Sequence, residues 1–496
     1  MRSATAGAGA PGPAFLGHPA GLATLFFTEM WERLSFYGMR ALLVLFLVDG
    51  VAHGGLGLDD RTASAIYGLY VGATYIAALP GGWIADRLIG SQRAVLAGGA
   101  LITCGHVLLW LSPTSSLFFT GLFLIVLGTG LLKPNASALV AQLYPQGGAA
   151  RDAGFTIYYV GINIGATLGP LIAGFVAQRY GWPYGFLTAA LGMAAGLLQF
   201  LWWRPLLGSA GARPAQAEPG LAGRLLLPGA ALLASMVGLL IASGLLRVAA
   251  VQLQVLATSG ILIVAVGYFA YLLFGAGLDR RARARILALL VLFTASTLFW
   301  AGDEQAGSSL NLFAARYTDL HWLGLTLPAS AFQSLNPIYI VAFGPLFGML
   351  WVGLARRGMD PSTPVKFMLG LLGIAAGFLV MAAAARLVAA GHQVGIGWLA
   401  ATYLLHTWGE LALSPVGMSA TTRLVPDRYV GQGLGLWFVS LSLGNLLASR
   451  IAGNFDPAHR EAMPGEFMHL VWFGTLCAAG LALSLPLMRR WMQPAR

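Results

Sequence analysis

Long apolar segments follow one another along almost the whole chain of 496 residues. A helix that spans the hydrocarbon core of a bilayer needs about 20 mostly apolar residues. We count about fourteen segments of this kind, near residues 22–48, 62–88, 93–112, 116–140, 152–178, 183–204, 224–244, 254–277, 286–314, 331–355, 365–385, 396–422, 431–453 and 468–490. Only 9% of the residues are charged, against about 25% in soluble domains. The sequence therefore predicts an all-α polytopic membrane protein.

The segments divide into six, two and six, which predicts two bundles and an inserted pair. The first six-helix bundle covers residues 21–206, a linker with the inserted transmembrane helix pair covers 207–285, and the second bundle covers 286–492. Residues 1–20 are rich in Ala, Gly and Pro and lack an apolar core, so we interpret them as a disordered N-terminal tail and not as a signal peptide. The inserted pair has almost no charge, and we expect two lipid-facing helices.

The formal net charge of +11 would by itself suit a protein that binds nucleic acid. The excess positive charge instead lies in short loops between the apolar segments, where the positive-inside rule places it. This distribution excludes nucleic acid as the expected partner and predicts a multi-pass protein of the cell membrane with both termini in the cytoplasm. Cys104 and Cys477 both lie in apolar segments, so no disulfide framework is implied.

The first apolar segment contains a cluster of charged residues. A charged side chain at the bilayer centre costs about 2.5–3.5 kcal/mol on insertion scales, so a helix cannot turn four of them to lipid. The cluster, with two aromatic residues, has spacings of 3, 1, 3, 1 and 3 residues, which keeps the side chains on one helix face: Glu29, Glu32, Arg33, Phe36, Tyr37 and Arg40. This face must lie against protein or a water-filled cavity. A purely structural ion cluster is the alternative, but polar residues on other segments favour a functional site.

Three other segments of the first half carry polar residues at membrane depth. Lys133 stands beside Pro134 in apolar sequence, and its ammonium is suited to a carboxylate from a substrate or a neighbouring helix. Asn163 lies four residues after Tyr159 and suits either an interhelical hydrogen bond or a ligand contact. Tyr75 lies in the second segment, about two turns deeper than its charged end. These side chains add a cation and hydrogen-bonding groups to the expected cavity.

Two adjacent acids, Asp303 and Glu304, lie in the first segment of the second half. Adjacent helical residues point about 100° apart, so one acid can face a cavity while the other faces a neighbouring helix. We expect Glu304 to face the cavity and to load and release a proton as its surroundings change. The residues that share its helix face are Trp300, Ser308 and Asn311.

The remaining candidates lie on later segments of the second half. Asn336 precedes Pro337, and Glu410 lies deep in the bilayer one turn before Ser414. Trp437 lies on a glycine-rich helix. With cations from the first half and acids from both halves, the cavity suits a zwitterion that has a carboxylate at one end and an ammonium at the other.

These motifs resemble those of the proton-dependent oligopeptide transporters of the major facilitator superfamily. The family signature Glu-x-x-Glu-Arg matches Glu29, Glu32 and Arg33, and Arg40 follows at the family spacing. The other matching positions are Lys133; Phe155, Tyr159 and Asn163; Phe299, Trp300, Glu304 and Gln305; and Glu410, Ser414 and Pro415. The resemblance covers most of the chain and implies the major facilitator fold, with the extra helix pair of bacterial members.

The resemblance implies a secondary active transporter and not an enzyme: a symporter that imports di- and tripeptides with protons by alternating access. It implies no cofactor and no metal site, and we expect a monomer in the lipid bilayer. The positions that match proton-coupling residues are Glu29, Glu32, Arg33 and Glu304. The positions expected to bind substrate are Arg40, Tyr37, Tyr75, Lys133, Asn163, Trp300, Ser308, Asn336, Glu410, Ser414 and Trp437.

Within that set the resemblance implies separate roles for the two ends of a peptide. Arg40 and Lys133 would face the peptide carboxylate, with Tyr37 and Tyr75 nearby. The groups that would face the ammonium are Asn163, Asn336 and Glu410, and those that would line side-chain pockets are Trp300 and Trp437.

The chain departs from the family pattern at a few positions. Phe36 replaces a tyrosine, and Gly302 and Asp303 also differ. A lost hydrogen bond is worth about 0.5–1.5 kcal/mol, which is enough to shift substrate preference without abolishing transport.

Other functions fit the sequence less well. A related carrier of nitrate, another small anion or a peptide-like drug is the alternative, although an anion carrier has little need of Glu410. A membrane-embedded enzyme is more distant, because the sequence has no metal-ligand histidine cluster, nucleophile elbow or zincin motif. A transporter-like receptor would need a soluble signalling domain, which the sequence does not contain.

Overall fold

The computed structural model describes residues 14–111, 116–214, 229, 232, 235–241, 245, 248–426, 429–455 and 459–492. Fourteen α-helices dominate this part of the chain: α1 (Gly21–Val48), α2 (Asp60–Ile84), α3 (Ser91–Leu111), α4 (Ser116–Gln142), α5 (Gly148–Tyr180), α6 (Trp182–Trp203), α7 (Ala250–Ala270), α8 (Arg280–Asp303), α9 (Ser309–Tyr317), α10 (Leu335–Arg356), α11 (Thr363–Ala389), α12 (Gly397–Leu424), α13 (Val430–Ala452) and α14 (Met463–Trp491).

Short helical turns extend or connect several of these helices: Val51–His53, Ala85–Ile89, Arg204–Leu207, Tyr271–Gly275, Glu304–Gly307, Ala329–Ser334 and Arg460–Ala462. Six two-residue strands form three small pairs. The antiparallel pairs are β1 (Ala14–Phe15) with β2 (His18–Pro19) and β4 (His321–Trp322) with β5 (Leu325–Thr326), and the parallel pair is β3 (Thr318–Asp319) with β6 (Val394–Gly395).

Eleven helical stretches of the described residues are long and apolar enough to cross a membrane. Helices α1 and α12, with 28 residues each, are also long enough but contain more polar residues. These helices account for all the predicted segments except the one near 224–244, most of which lies outside the described residues. The prediction of an all-α polytopic membrane protein is confirmed.

The helices pack in two groups. In the first, α1 packs against α5 and α6, and α3 against α4; in the second, α11 packs against α12 and α14. Each group has its own core of buried aromatic and aliphatic side chains. Phe46 and Phe186 of the first core meet edge to face at 5.2 Å, and Phe378 and Phe467 of the second stack at 6.2 Å. The arrangement agrees with the two predicted six-helix bundles.

A glycine seam brings α5 directly against the charged face of α1. A Cβ atom on Gly165 would collide with the main-chain carbonyl of Met30 and would crowd the Cβ of Arg33. Small residues at helix interfaces allow backbones this close in membranes, where packing contacts hold helices together. The charged face of α1 is therefore enclosed by protein and shielded from lipid.

The two groups meet along two seams. At the first, Ser442 Oγ of α13 donates a hydrogen bond of 2.9 Å to the carbonyl of Gly72 in α2. At the second, Ser334 Oγ donates one of 2.7 Å to the carbonyl of Thr167 in α5. The inserted helix α7 packs on both α2 and α13, and the amide of its buried Gln254 donates to the Leu446 carbonyl at 3.2 Å. Helix α7 therefore covers the first seam.

The structure describes only the end of the segment that we interpret as a disordered tail. There β1 pairs with β2, and His18 Nδ1 lies 2.9 Å from Tyr144 Oη. The Phe15 ring lies 5.8 Å from that of Phe26. These contacts hold residues 14–19 against the first half, and composition does not indicate them. Residues 1–13 lie outside the described part of the chain.

Candidate functional site

The three charged residues of the signature form one buried cluster. Glu29, Glu32 and Arg33 are 2%, 1% and 3% exposed. Arg33 Nε lies 3.0 Å from Glu29 Oε1 and 2.5 Å from Glu32 Oε2. Tyr158 of α5 donates a hydrogen bond of 2.7 Å to Glu29 Oε2. Because two acids share one guanidinium, this cluster can bind a proton without losing its cation.

A second buried ion pair joins the two halves of the protein. Arg40 Nη2 of α1 lies 2.7 Å from Glu304 Oε2, and the two residues are 7% and 4% exposed. Arg40 Nε also donates a hydrogen bond of 2.6 Å to Tyr67 Oη of α2. A buried ion pair is costly to break by removing one partner, because the other charge is left uncompensated. This pair therefore couples the positions of the two halves.

The helix that carries Glu304 is interrupted at that residue. Helix α8 ends at Asp303, and the turn Glu304–Gly307 leads into α9. The continuous helix assumed for the shared face of this segment is therefore wrong. At this break Gly307 allows the close approach of Tyr67 from α2, because a Cβ there would collide with the Tyr67 hydroxyl. Gln305, in the turn that follows the break, donates a hydrogen bond of 2.9 Å from Nε2 to the carbonyl of Ala448.

The break still leaves three of the expected residues near the junction of the halves. Asn311 Nδ2 donates a hydrogen bond of 2.9 Å to the carbonyl of Ala41 in α1. Ser308 and Trp300 are buried, and neither Ser308 Oγ nor Trp300 Nε1 has a hydrogen-bond partner among the described residues. A buried polar atom without a partner costs free energy, so these two donors are available to a ligand or to water.

Lys133 of α4 contributes a cation that forms no salt bridge with a described residue, although Glu29, Glu32 and Glu304 lie within electrostatic range. Its Nζ lies 4.3 Å from the centre of the Tyr75 ring, and the side chain is half-buried. Within the described part of the chain, no carboxylate oxygen lies within 4.0 Å of this ammonium. A cation over an aromatic face is stabilised but keeps its capacity to bind an anion. The contacts of Lys133 and Tyr75 therefore leave room for the predicted binding of a ligand carboxylate.

Glu410 of α12 lies in the opposite half with a neutral partner. Asn336 Nδ2 of α10 donates hydrogen bonds to Glu410 Oε2 at 2.8 Å and to Thr407 Oγ1 at 3.1 Å. Glu410 is half-buried, as is Ser414 one turn later. Since an amide does not neutralise a carboxylate, Glu410 retains an unpaired negative charge.

Tyrosines of the first half lie within range of the Glu410 charge. The carboxylate interacts electrostatically with Tyr37 of α1 and with Tyr159 of α5. The Tyr37 ring in turn lies 5.5 Å from the guanidinium carbon of Arg40. The acid of α12 thus lies within electrostatic range of groups on α1 and α5 in the other half.

Two predicted residues make no direct contact with these charged groups among the described residues. The buried Asn163 amide donates a hydrogen bond of 2.9 Å to the main-chain carbonyl of Tyr159 within its own helix. Trp437 is buried inside the second half, where it lines a small cavity with Phe293 and Phe367. Their assignment to the binding site stays a prediction. Among the described residues, no group of three His, Cys, Asp or Glu side chains is placed to hold a metal ion.

Sequence reasoning missed Tyr67, Tyr158 and Thr407. Tyr158 lies three residues before Gly161 of the glycine seam, which places it on the face of α5 that meets α1, whereas we selected its neighbour Tyr159. Tyr67 lies eight residues before Tyr75 on α2, about two helical turns away. The spacing of tyrosines relative to glycines could therefore have identified at least one of them.

The same motifs occur in proteins of known family. The sequence model of the POT family matches residues 92–465. The peptide transporter YePEPT of Yersinia enterocolitica is 40% identical in an alignment of 495 positions that covers 97% of this chain and 96% of the relative. The di-/tripeptide transporter of Lactococcus lactis subsp. cremoris is 36% identical, over 90% of this chain and 91% of its own.

Solved structures give the same result. A crystal structure of a mutant of the peptide transporter POT in complex with sulfate superposes with a TM-score of 0.90. It is 38% identical in sequence, and the superposition covers 98% of each chain. The chain described here therefore belongs to the POT family, the proton-dependent oligopeptide transporters of the major facilitator superfamily.

Proposed function

We propose that this protein is a proton-coupled symporter that imports di- and tripeptides by alternating access. The observation that carries the proposal is the buried Arg40–Glu304 ion pair between the halves, flanked by an unpaired cation and an unpaired acid on opposite sides. Two of the relatives described above, a peptide transporter and a di-/tripeptide transporter, support this proposal. As secondary active transport, it needs no cofactor.

The geometry suits a short zwitterion. Lys133 on α4 is available to the peptide carboxylate, and Glu410 on α12 to the peptide ammonium. Each charged group then exchanges water or a neutral partner for an ion of opposite sign, which strengthens the hydrogen bonds that it makes. A free anion would gain at Lys133 but would be repelled at Glu410, so the arrangement favours a peptide over nitrate.

Proton coupling follows from competition for Arg40. While Glu304 is ionised, it occupies the guanidinium at 2.7 Å and holds the halves together. Protonation of Glu304 removes the ion pair and frees Arg40 for the peptide carboxylate. Release of the proton restores the pair and displaces the peptide. A second acid–base cluster lies on α1, the helix that carries Arg40, and it consists of Glu29, Glu32 and Arg33. We assign this cluster to proton transfer within the first half.

A further set of contacts closes one end of the protein. Arg316 at the end of α9 makes two hydrogen bonds, of 2.6 and 2.8 Å, to the carboxylate of Asp60 at the start of α2. Ser330 Oγ donates to the carbonyl of Pro170 at 3.3 Å near the same end. The neighbouring Asp59 caps α2, and hydrogen bonds from Thr62 hold the pKa of its carboxyl below the usual value. From the charge distribution we assign the closed end to the cell exterior.

Replacing Asp60 by Asn is expected to open this end more often. Exposed ion pairs are worth only about 0.2–1 kcal/mol, but this pair is bidentate and part-buried, so its contribution is larger and we expect the open population to rise by at least a few-fold. Spin labels at Val51 and Leu325, in a background with Cys104 and Cys477 replaced by Ser, would report the distance between the halves.

The matched control is Asp319→Asn, which removes an exposed acid at the same end. Asp319 contacts His321 in a loop of the second half and does not bridge the halves. The closing role of Asp60 is wrong if both variants give the distance distribution of the parent protein.

The positive-inside pattern supports a cell-membrane protein with both termini in the cytoplasm. We expect a monomer, because each half buries its own core and the binding groups all come from one chain.

The proposal is tested by uptake of labelled dialanine into proteoliposomes that contain the purified protein, with an inward proton gradient. We expect accumulation that an uncoupler abolishes and that unlabelled dipeptides, but not free alanine, compete. Absence of uptake in vesicles shown to be intact, for tripeptides as well, would refute peptide transport. It would leave the fold in place and direct attention to other small anions and peptide-like drugs.

A further inference from the structure

A cavity of about 640 Å³ lies at one end of the second half, away from the central charges. It is formed by the segment that leads into α11, the last two turns of α12 and the end of α14. The residues that line it are Asp360, Pro361, Ser362, Thr363, Pro364, Lys366, Pro415, Val416, Ser419, Arg423, Arg489 and Met492. The transport mechanism proposed above does not use this cavity.

The charge in the cavity is predominantly positive. Lys366 is 7% exposed, and its Nζ lies 2.8 Å from Asp360 Oδ1 and 4.6 Å from the centre of the Trp351 ring. Asp360 therefore neutralises Lys366. Arg423 and Arg489 remain, and within the described residues neither guanidinium has a carboxylate within 4.0 Å. Arg423 Nε makes one hydrogen bond, of 3.3 Å, to the carbonyl of Ser419 in its own helix.

The position of the cavity points to the surface of the bilayer. Helix α12 ends one residue after Arg423, α11 begins at Thr363, and Arg489 lies in the last turn of α14. All three helices cross the membrane, so their ends lie at the level of the lipid head groups. Tryptophan is enriched at that level, and Trp351 beside Lys366 agrees with it. The apolar part of the wall, Val416 and Met492, suits the glycerol and upper acyl region of a lipid.

We propose that this cavity binds the phosphate head group of an anionic phospholipid through Arg423 and Arg489. The planar guanidinium matches the phosphate oxygens with two parallel hydrogen bonds, which a lysine cannot provide. Basic pockets between transmembrane helices are known to hold anionic head groups. Inorganic phosphate shares the ligand chemistry, but it would leave the apolar wall unused.

The test is native mass spectrometry of the full-length protein titrated with phosphatidylglycerol and with phosphatidylcholine of the same acyl chains. We expect preferential retention of phosphatidylglycerol by the parent protein. Each basic residue near the surface contributes about fivefold in affinity, so the double variant Arg423→Gln/Arg489→Gln should bind phosphatidylglycerol about thirtyfold more weakly. Arg423→Lys/Arg489→Lys should recover only part of the loss, because it restores charge without the planar geometry.

The matched control is Arg283→Gln, which removes an exposed arginine from the first turns of α8 at the same end of the membrane, outside the cavity. This variant should retain phosphatidylglycerol as the parent does. Equal retention of the two lipids by the parent protein, or equal retention of phosphatidylglycerol by parent and double variant, overturns the proposal. Displacement of the lipid by inorganic phosphate at equal concentration would identify free phosphate as the ligand and overturn the lipid assignment.

Discussion

Replacing Glu304 by Gln is expected to abolish gradient-driven accumulation of peptide while leaving exchange intact. The side chain of Gln has the shape of a protonated Glu but cannot release a proton. Arg40, now 2.7 Å from a carboxylate, would be free for the peptide carboxylate in every state of the protein. Accumulation in proteoliposomes should therefore fall to the level set by equal concentrations inside and outside. Counterflow of labelled against unlabelled dialanine should continue.

The adjacent acid provides the control for this prediction. Asp303 is half-buried and makes no ion pair with any described residue, so Asp303→Asn removes a carboxylate one residue away without releasing Arg40. Accumulation should survive in that variant. If it is lost there and retained in Glu304→Gln, the proton site is Asp303 and the assignment of Glu304 is wrong.

Replacing Glu410 by Ala is expected to weaken the binding of ordinary dipeptides much more than that of N-acetylated ones. A hydrogen bond to a charged group is worth about 1.5–3 kcal/mol, which corresponds to a tenfold to hundredfold rise in KM for peptides with a free ammonium. An acetylated peptide has no such ammonium to lose. The measurement is competition of each peptide against labelled dialanine in proteoliposomes.

Met418→Ala is the matched control on the same helix, because Met418 is 45% exposed on the surface of the second half. It should leave both peptide classes unchanged. An equal loss for free and acetylated peptides in Glu410→Ala would point to a structural role, in which Glu410 only positions Asn336.

Much of the charged site could be predicted because burial of charge in a bilayer is so costly. Glu29, Glu32 and Arg33 stand three and one residue apart in an apolar segment, and this pattern permits few arrangements other than an enclosed cluster. The choice of Glu304 over Asp303 rested instead on a helix face shared with Trp300, and the break after Asp303 removes that basis. The structure pairs Glu304 with Arg40 of α1.

The interruption of α8 could not be predicted in the same way. The segment near 286–314 is mostly apolar up to Ala301 and mostly polar from Asp303 to Asn311, and the shared helix face assumed one helical axis throughout. At the break, Tyr67 of α2 occupies the space where a Cβ of Gly307 would be. Contacts between distant parts of the chain determine that geometry, and local sequence does not report them.

The positions of individual tyrosine and tryptophan side chains are difficult to predict for the same reason, because their partners lie on helices that are distant in sequence. Tyr158 and Tyr159 are adjacent residues of the same type, and only the packing of α5 on α1 decides which of them reaches Glu29. The resemblance implies a side-chain pocket at Trp437, and this stays a prediction; the ring lines a small cavity between helices of the second half. A large aromatic side chain fits either environment, so its type alone does not distinguish them.

Helix α7 has a mechanical consequence. It rests on α2 and α13 together, while its opposite surface exposes Ile263, Val264 and Val266. Any rotation of one half against the other changes how much of α7 and of the covered seam lies in contact with acyl chains. The protein then performs work on the surrounding bilayer in each cycle. The thickness and lateral pressure of the membrane thus enter the energetics of peptide uptake directly.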